Sequence, residues 1–564
     1  MPEIVHVGPA PASPLATEVG VRMRDGVRLA TDVYLPGAPD APETGPSDTI
    51  LIRLPYDKSG EYTFIPLIAE YFTTRGYRVV AQDVRGKFRS EGEALLFVNE
   101  VDDGYDTIEW ITHQPWSNGR VAMWGDSYYG YTQWAAVASQ HPALKAIAPR
   151  VTGTQLGEPV RPRPGERARP VEWAITYLYP VTYFHSRDAY FWELDPTERP
   201  YSAQVERVLD ELGSRSISYD QWYPRAVHLP RFPAASPFDA RPVPTLHTIG
   251  WWDNCAPLSW ADVADIEQRP AWALNHFLRI ESMDHEAYYL DDADEVRVEE
   301  RTDDQLRAEL PRMLEPAIEF FEVFVRGNGS AGDIPRVSWN LAGTEGMRAD
   351  AAWPPPAART RSWFAAPGTG DGRRGRLDLD APTTETAVEW THDPADPVPS
   401  SVPNAFAFLL HRPDEAPIGA RDDVLVFDSE LATDDLDLTG PVRVAARVAS
   451  DGPVMDLFVR LLDVAPDGTA LRIARGQVEV TDATTPADVD IDLGQLGYRL
   501  RAGHRLRVHV SSSDSPEFIA QPGTGEEPWG ARGTVPNRQR LLLGGSHPFR
   551  LDLTIAPTSE GASA

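Results

Sequence analysis

A single cysteine, Cys255, in a chain of 564 residues excludes an intrachain disulfide framework and any cysteine-cluster metal site. Positive charge is also short: 53 Lys and Arg stand against 84 Asp and Glu, a formal net charge of -31. A field of that sign repels polyanions, so neither nucleic acid nor an anionic membrane surface is an expected partner. Long apolar runs are missing as well. Met1 to Leu15 is polar and proline-rich, unlike a secretory signal, and no later segment is long and apolar enough to span a bilayer. The expectation is a cytoplasmic protein. Apolar content of 42%, with 16 Trp, 19 Tyr and 19 Phe, describes a folded chain, and its length calls for two or three domains.

The first part of the chain alternates strand and helix signals. A hairpin is expected around Asp25-Gly26, then strands at Thr49–Leu54 and Tyr77–Gln82 with a helix near Ile65–Phe72 between them. The rhythm continues through Tyr105–Thr112, Val121–Trp124, Tyr131–Ser139 and Ala146–Ala148, which predicts a mainly parallel α/β sheet with its site at the carboxyl ends of the strands. Over residues 153–235 strand signals fade, and aromatic helical segments predict a helical cap. Strands return at Thr245–Trp251 and Ala273–Ile280, followed by a long helix over Gln305–Val325. After Gly327-Asn328-Gly329 short alternating runs predict a β-sandwich of jelly-roll form. The expected division is 1–152 and 236–330 for the α/β domain, 153–235 for the cap and 331–564 for the sandwich, with a frayed tail after Pro557.

Chemistry concentrates in Trp124-Gly125-Asp126-Ser127-Tyr128-Tyr129-Gly130, placed between a strand and a helix. This resembles the Gly-x-Ser-x-Gly nucleophile elbow with the last glycine one position late. A sharp turn needs small residues where backbones meet, and it lifts the serine hydroxyl beside a helix N-terminus. Read alone, Gly-Asp-Ser is equally an ordinary helix cap. Two later strand ends decide between these readings. Asp253 follows the strand ending at Trp251, and His285 follows the strand ending near Ile280, giving the order Ser, Asp, His of an α/β-hydrolase triad.

Together with Arg53-Leu54-Pro55-Tyr56, Gln82-Asp83-Val84-Arg85-Gly86, Gly250-Trp251-Trp252-Asp253 and Leu462 to Gly468, these motifs make the chain resemble the cocaine esterase and Xaa-Pro dipeptidyl-peptidase-like hydrolases over nearly its whole length. That family also includes α-amino-acid ester hydrolases and glutaryl-cephalosporin acylases. The resemblance implies an α/β-hydrolase domain with an inserted helical cap and a C-terminal jelly roll. It also implies an oxyanion hole made by the Tyr56 hydroxyl and the backbone N–H of Tyr128, and it suggests a homodimer. Family members place the histidine in a Gly-Pro-Trp-x-His segment, whereas this chain has Glu281-Ser282-Met283-Asp284-His285-Glu286. His276 competes for the role, but inside a strand it is better explained as a packed residue.

The expected activity is hydrolysis of a carboxylic ester, or an amide, of a small molecule through an acyl-enzyme on Ser127, with neither metal nor organic cofactor. Dipeptidyl-peptidase, acylase or acyl-transferase activity is the alternative, and a non-catalytic carbohydrate-binding protein ranks below these. Trp173, Trp252 and Cys255 are the expected pocket residues. Asp284-His285-Glu286 is not expected to bind metal, since consecutive residues rarely converge on one ion. Arg161, Arg163, Arg167 and Arg169 are read as a solvated basic loop, and Asp284 and Glu286 as solvated loop carboxylates.

Overall fold

The computed structural model describes residues 3–36, 45–160, 165–225, 227, 229–290, 301–407 and 412–557. The expected hairpin forms from β1 (Thr17–Arg22) and β2 (Arg28–Tyr34), with Gly26 at φ +94°, a left-handed turn conformation that suits glycine. Next come β3 (Ser47–Leu54), α1 (Ile65–Thr73), β4 (Arg78–Asp83), α2 (Glu100–Thr112), β5 (Ser117–Asp126), α3 (Ser127–Ser139) and β6 (Leu144–Arg150). Nearly every residue of β3 and β4 is buried, the pattern of strands covered on both faces of a parallel sheet.

The cap contributes α4 (Ala174–Tyr183), α5 (Tyr201–Leu212) and α6 (Ile217–Trp222). The sheet resumes with β7 (Thr245–Gly250), α7 (Ala256–Glu267), β8 (His276–Glu281), α8 (Asp303–Phe321), β9 (Val337–Asn340) and β10 (Met347–Asp350). The resulting ten-stranded sheet has the order β10-β9-β8-β7-β6-β5-β3-β4-β2-β1. Its centre, from β9 to β4, is parallel. Helices α1 and α8 cover one face, where Ile65, Ile68, Met313 and Leu314 share a core, and α2 and α3 cover the other through Ile108, Ile111 and Trp134. The strand order reverses at β3, which lies between β4 and β5. The loops leaving β3, β5, β7 and β8 at their carboxyl ends therefore crowd one crevice.

Three expectations change. The strand expected from Ala273 starts at His276, because Pro270–Ala273 forms a helical turn that proline at its first position favours. The cap is not purely helical: Ala189–Phe191 pairs with Val5–Val7, and Ala168–Arg169 adds to the edge of the C-terminal sheet. The change of architecture does not fall at 331, since β9 and β10 still extend the first sheet. Antiparallel edge strands alternate in the same way as sandwich strands, so composition does not separate them.

The rest of the chain is β-rich. A twelve-stranded, almost wholly antiparallel sheet contains the expected runs within Leu436–Ser450, Val454–Val464, Arg505–Ser511 and Asn537–Leu543. It is bound closely to the cap. The fully buried Trp529 stacks on Tyr177 of α4 at 4.6 Å and donates its indole N–H to the Tyr219 hydroxyl of α6 at 2.9 Å. Among the described residues no helix is long and apolar enough to cross a membrane. Arg161, Arg163 and the tail beyond Pro557 lie outside the described residues.

Candidate active site

Ser127 sits at the turn from β5 into α3 with φ +51°, a left-handed conformation that a side chain tolerates only when its surroundings impose it. The two glycines explain how. A Cβ on Gly125 would lie 2.1 Å from the Tyr129 ring, and one on Gly130 would lie 2.6 Å from Thr152 Cγ2. The glycine displaced by one position thus lets α3 approach the segment after β6, while Tyr129 fills the place where the usual motif has its second glycine. The Thr152 hydroxyl fastens the turn from outside by donating to the Ser127 carbonyl at 2.7 Å.

A buried ion pair supports the same turn. Arg150 at the end of β6 donates through Nε to Asp126 Oδ1 at 2.7 Å and through Nη1 to the Met313 carbonyl at 3.1 Å. Removing one partner strands a charge away from water. Arg150→Ala is therefore expected to cost about 3–5 kcal/mol of stability, read as a lowered midpoint of urea unfolding followed by tryptophan fluorescence.

Asp253 and His285 arrive from the neighbouring strand ends. Beyond β7 the chain turns tightly against the β8 loop, with Trp252 N–H donating to the Met283 carbonyl at 3.1 Å. A Cβ on Gly250 would meet that same carbonyl oxygen at 2.4 Å. Asp253 Oδ1 accepts from Cys255 N–H at 2.9 Å and lies 2.7 Å from His285 Nδ1, and His285 Nε2 lies 2.9 Å from Ser127 Oγ. The three residues from three distant chain positions form one continuous relay.

The electrostatics suit that relay. Burial works against a charged His285 imidazole, but the Cys255 and Asp253 side chains beside it outweigh burial and hold it well above the ordinary histidine range. Burial pushes the Cys255 thiol up. His276 is the packed residue expected. It lies 3.3 Å from His247, and burial followed by the Arg336 charge lowers it to about 3.

Tyr56, two residues beyond β3, is hydrogen-bonded to Tyr179 of α4 at 2.9 Å between hydroxyls. Burial raises its pKa, and that hydrogen bond and the neighbouring Ser127 offset part of the effect, so it is a neutral donor at pH 7. Tyr128 contributes in two ways. Its backbone N–H belongs to the first turn of α3, where no intrahelical acceptor exists. Its buried side chain donates to Glu100 Oε1 at 2.9 Å and accepts from Phe97 N–H at 3.0 Å.

The expected pocket residues separate. Cys255 joins the site, its sulfur lying within 4.8 Å of His285 and Asp253. Trp252 is held elsewhere: its indole donates to Ser282 Oγ at 3.0 Å and its ring meets Tyr498 edge-on, which commits it to the core between the two sheets. Trp173 packs edge-on against Phe518, with ring centroids 5.5 Å apart, in a small cluster with Val171 and Phe458. Arg167 and Arg169 are half-buried and held by partners rather than free in solvent. The first donates to the carbonyls of Asp482 at 2.9 Å and Thr485 at 2.8 Å, and the second pairs with Glu479. Asp284 is likewise buried rather than solvated. It accepts two backbone N–H groups at 3.0 Å, and burial raises its carboxyl to about 8.

Asp253, Cys255 and His285 offer metal-ligating atoms within 4.8 Å of one another. Both imidazole nitrogens are already engaged by Asp253 and Ser127, so a metal here would dismantle the relay. Arg150 and the tyrosines around Tyr56 carry no signal in the sequence, and Tyr179 stands there only as one of several cap aromatics that could line a pocket but suit a core better. In a helical pattern Tyr179 is indistinguishable from a core aromatic.

The chain is similar to known proteins over most of its length. Residues 25–269 match the X-Pro dipeptidyl-peptidase (S15 family) model, and residues 328–552 match the X-Pro dipeptidyl-peptidase C-terminal non-catalytic domain. Cocaine esterase from Rhodococcus sp. (strain MB1 Bresler) is 29% identical over 598 aligned positions, covering 96% of this chain and 98% of the relative. An α-amino acid ester hydrolase structure superposes with a TM-score of 0.77 at 22% identity, covering 97% of this chain and 98% of that one. An aminopeptidase from a marine sediment archaeon, Thaumarchaeota archaeon, gives a TM-score of 0.76 at 21% identity with the same coverage, 97% and 98%.

Proposed function

Because the chain belongs to the cocaine esterase and X-Pro dipeptidyl-peptidase-like (S15) serine hydrolases, we propose that it cleaves a carboxylic ester of a compact substrate through an acyl-enzyme on Ser127. The observation that carries this reading is the unbroken relay from Asp253 through His285 to Ser127 Oγ.

In this mechanism Nδ1–H of His285 donates to Asp253 while Nε2 accepts the Ser127 proton as Oγ attacks the acyl carbon. The carbonyl oxygen takes up negative charge beside two donors, the Tyr56 hydroxyl and the Tyr128 N–H; each such donor is typically worth about 3 kcal/mol. As the intermediate collapses, the imidazolium returns its proton to the leaving alkoxide. Water, deprotonated by the same nitrogen, then releases the acid.

Ester chemistry is favoured over removal of an N-terminal dipeptide by what surrounds the acid. A peptide substrate brings a free ammonium that seeks a carboxylate, and among the described residues directly after the acid, Asn254, Cys255 and Ala256 offer none. Asp284 is sequestered, and Glu286 accepts from the Tyr62 hydroxyl at 3.3 Å. For the architecture, we read residues 153–235 as the cap and the C-terminal β-rich unit as a jelly roll.

The test pairs short-chain p-nitrophenyl esters with the matching anilides and adds a fluorophosphonate probe. Rapid ester turnover, slow anilide turnover and a phosphonate adduct on the Ser127 peptide are expected. Faster cleavage of dipeptidyl anilides than of esters would overturn the ester reading.

A further inference from the structure

The cap's Tyr179 has no part in the relay described above, yet it is the hydrogen-bond partner of the Tyr56 hydroxyl. We propose that Tyr179 is a positioning residue: it donates its hydroxyl proton to the Tyr56 oxygen and thereby aims the Tyr56 proton at the oxyanion. This rests on the assignment of Tyr56 as an oxyanion donor.

Proton counting gives the direction. The two hydroxyls lie 2.9 Å apart, and either atom can be the donor. A phenol has one proton. If Tyr56 spent its proton on Tyr179, nothing would remain for the charge forming at the acyl oxygen. When Tyr179 donates instead, Tyr56 keeps its proton for the substrate. Its O–H also becomes a stronger donor, because hydrogen bonds in a chain polarise one another.

The packing holds the two rings so that their hydroxyls meet. Tyr56 meets Tyr129 edge-on at 6.2 Å and Tyr183 edge-on at 5.1 Å, while Tyr179 lies 5.0 Å from Tyr183 and 5.8 Å from Phe184. Aromatic faces and edges therefore hold both phenols, and the hydroxyls meet without either side chain having to search. Tyr179 belongs to α4, so the strength of the oxyanion hole depends on how the cap is seated.

The experiment is a double-mutant cycle on Tyr56→Phe and Tyr179→Phe, reading kcat and KM separately on a p-nitrophenyl ester. The same variants are titrated with an arylboronic acid, which forms a tetrahedral adduct on serine. Phenylalanine keeps the ring packing at both sites. Tyr56→Phe is expected to lower kcat by about 10²–10³-fold, as loss of an oxyanion donor does. Tyr179→Phe is expected to lower kcat by about 5–10-fold, the worth of one hydrogen bond, with KM unchanged and boronate affinity reduced by the same factor.

In the Tyr56→Phe background, Tyr179→Phe should then cost nothing further. An equal loss in both backgrounds, an effect confined to KM, or no effect of Tyr179→Phe while Tyr56→Phe is impaired would each overturn the proposal and leave the oxyanion assignment standing. Wild-type kcat in Tyr56→Phe would overturn the assignment of Tyr56 and the proposal with it.

Discussion

Ser127→Ala is expected to lower ester turnover by on the order of 10⁶-fold, since removing the nucleophile of a triad costs about as much as removing the whole triad. Folding should be hardly affected. Alanine has the same trouble with φ +51° as serine, and the clamp from Thr152 is to a backbone oxygen that the substitution keeps. Activity and stability therefore come apart in this variant. A thermal melt within a degree or two of wild type, alongside lost turnover and lost phosphonate labelling, is the expected pair of results. Ser127→Gly provides the complement. It should be equally inactive yet more stable by about 1 kcal/mol, the left-handed penalty that glycine avoids.

Asp253→Asn should lower kcat by roughly 10⁴-fold, although it changes the shape of the side chain hardly at all. The carboxylate does two things that an amide does not do together. It fixes the proton on His285 Nδ1, and its charge favours the imidazolium that forms when Ser127 is deprotonated. An amide that turns its NH2 group to the ring donates to Nδ1 and forces the proton onto Nε2, the wrong tautomer for a base facing Ser127.

The pH dependence follows with a definite sign. His285 acts as a base only when neutral, so activity falls as pH drops through its pKa. Because that pKa is raised in the wild type, the acidic limb of kcat/KM should lie above about pH 6.5, the unperturbed value. Residual activity of Asp253→Asn should show the limb displaced to lower pH, since the charge that favoured the imidazolium has gone. An unmoved limb would mean that another group titrates there.

Much of this was legible because the information is local. The elbow declares itself through Gly125 and Gly130, each required by a close approach within a few residues or across one strand. Asp253 and His285 could be read because strands β7 and β8 are short apolar runs whose ends are marked by a change in pattern. Their meeting in space follows from the order of a parallel sheet, which sequence rhythm also carries.

The surroundings of Trp173 and Trp252 were illegible for the opposite reason. Whether Trp173 and Trp252 face a substrate or a neighbouring domain depends on Phe518, Tyr498 and Ser282, and no spacing rule links Trp173 to a residue more than three hundred positions away. The arginines at 167 and 169 were misread likewise. A short basic stretch looks solvated until the strand it joins is known. The late onset of the second unit has a similar origin, since the edge strand at Met347–Asp350 carries no mark of the sheet to which it belongs.

The two-residue strand Ala168–Arg169, hydrogen-bonded into the far sheet, with Trp529 wedged between α4 and α6 from the other side, bears on how such enzymes diversify. A covering segment stitched in this way is fastened to the terminal unit at both of these points, unlike a lid held by a hinge alone. A recombinant that borrows the covering segment of a relative would have to inherit the matching terminal unit with it, because the two halves of that seam are encoded over three hundred codons apart and make sense only as a pair.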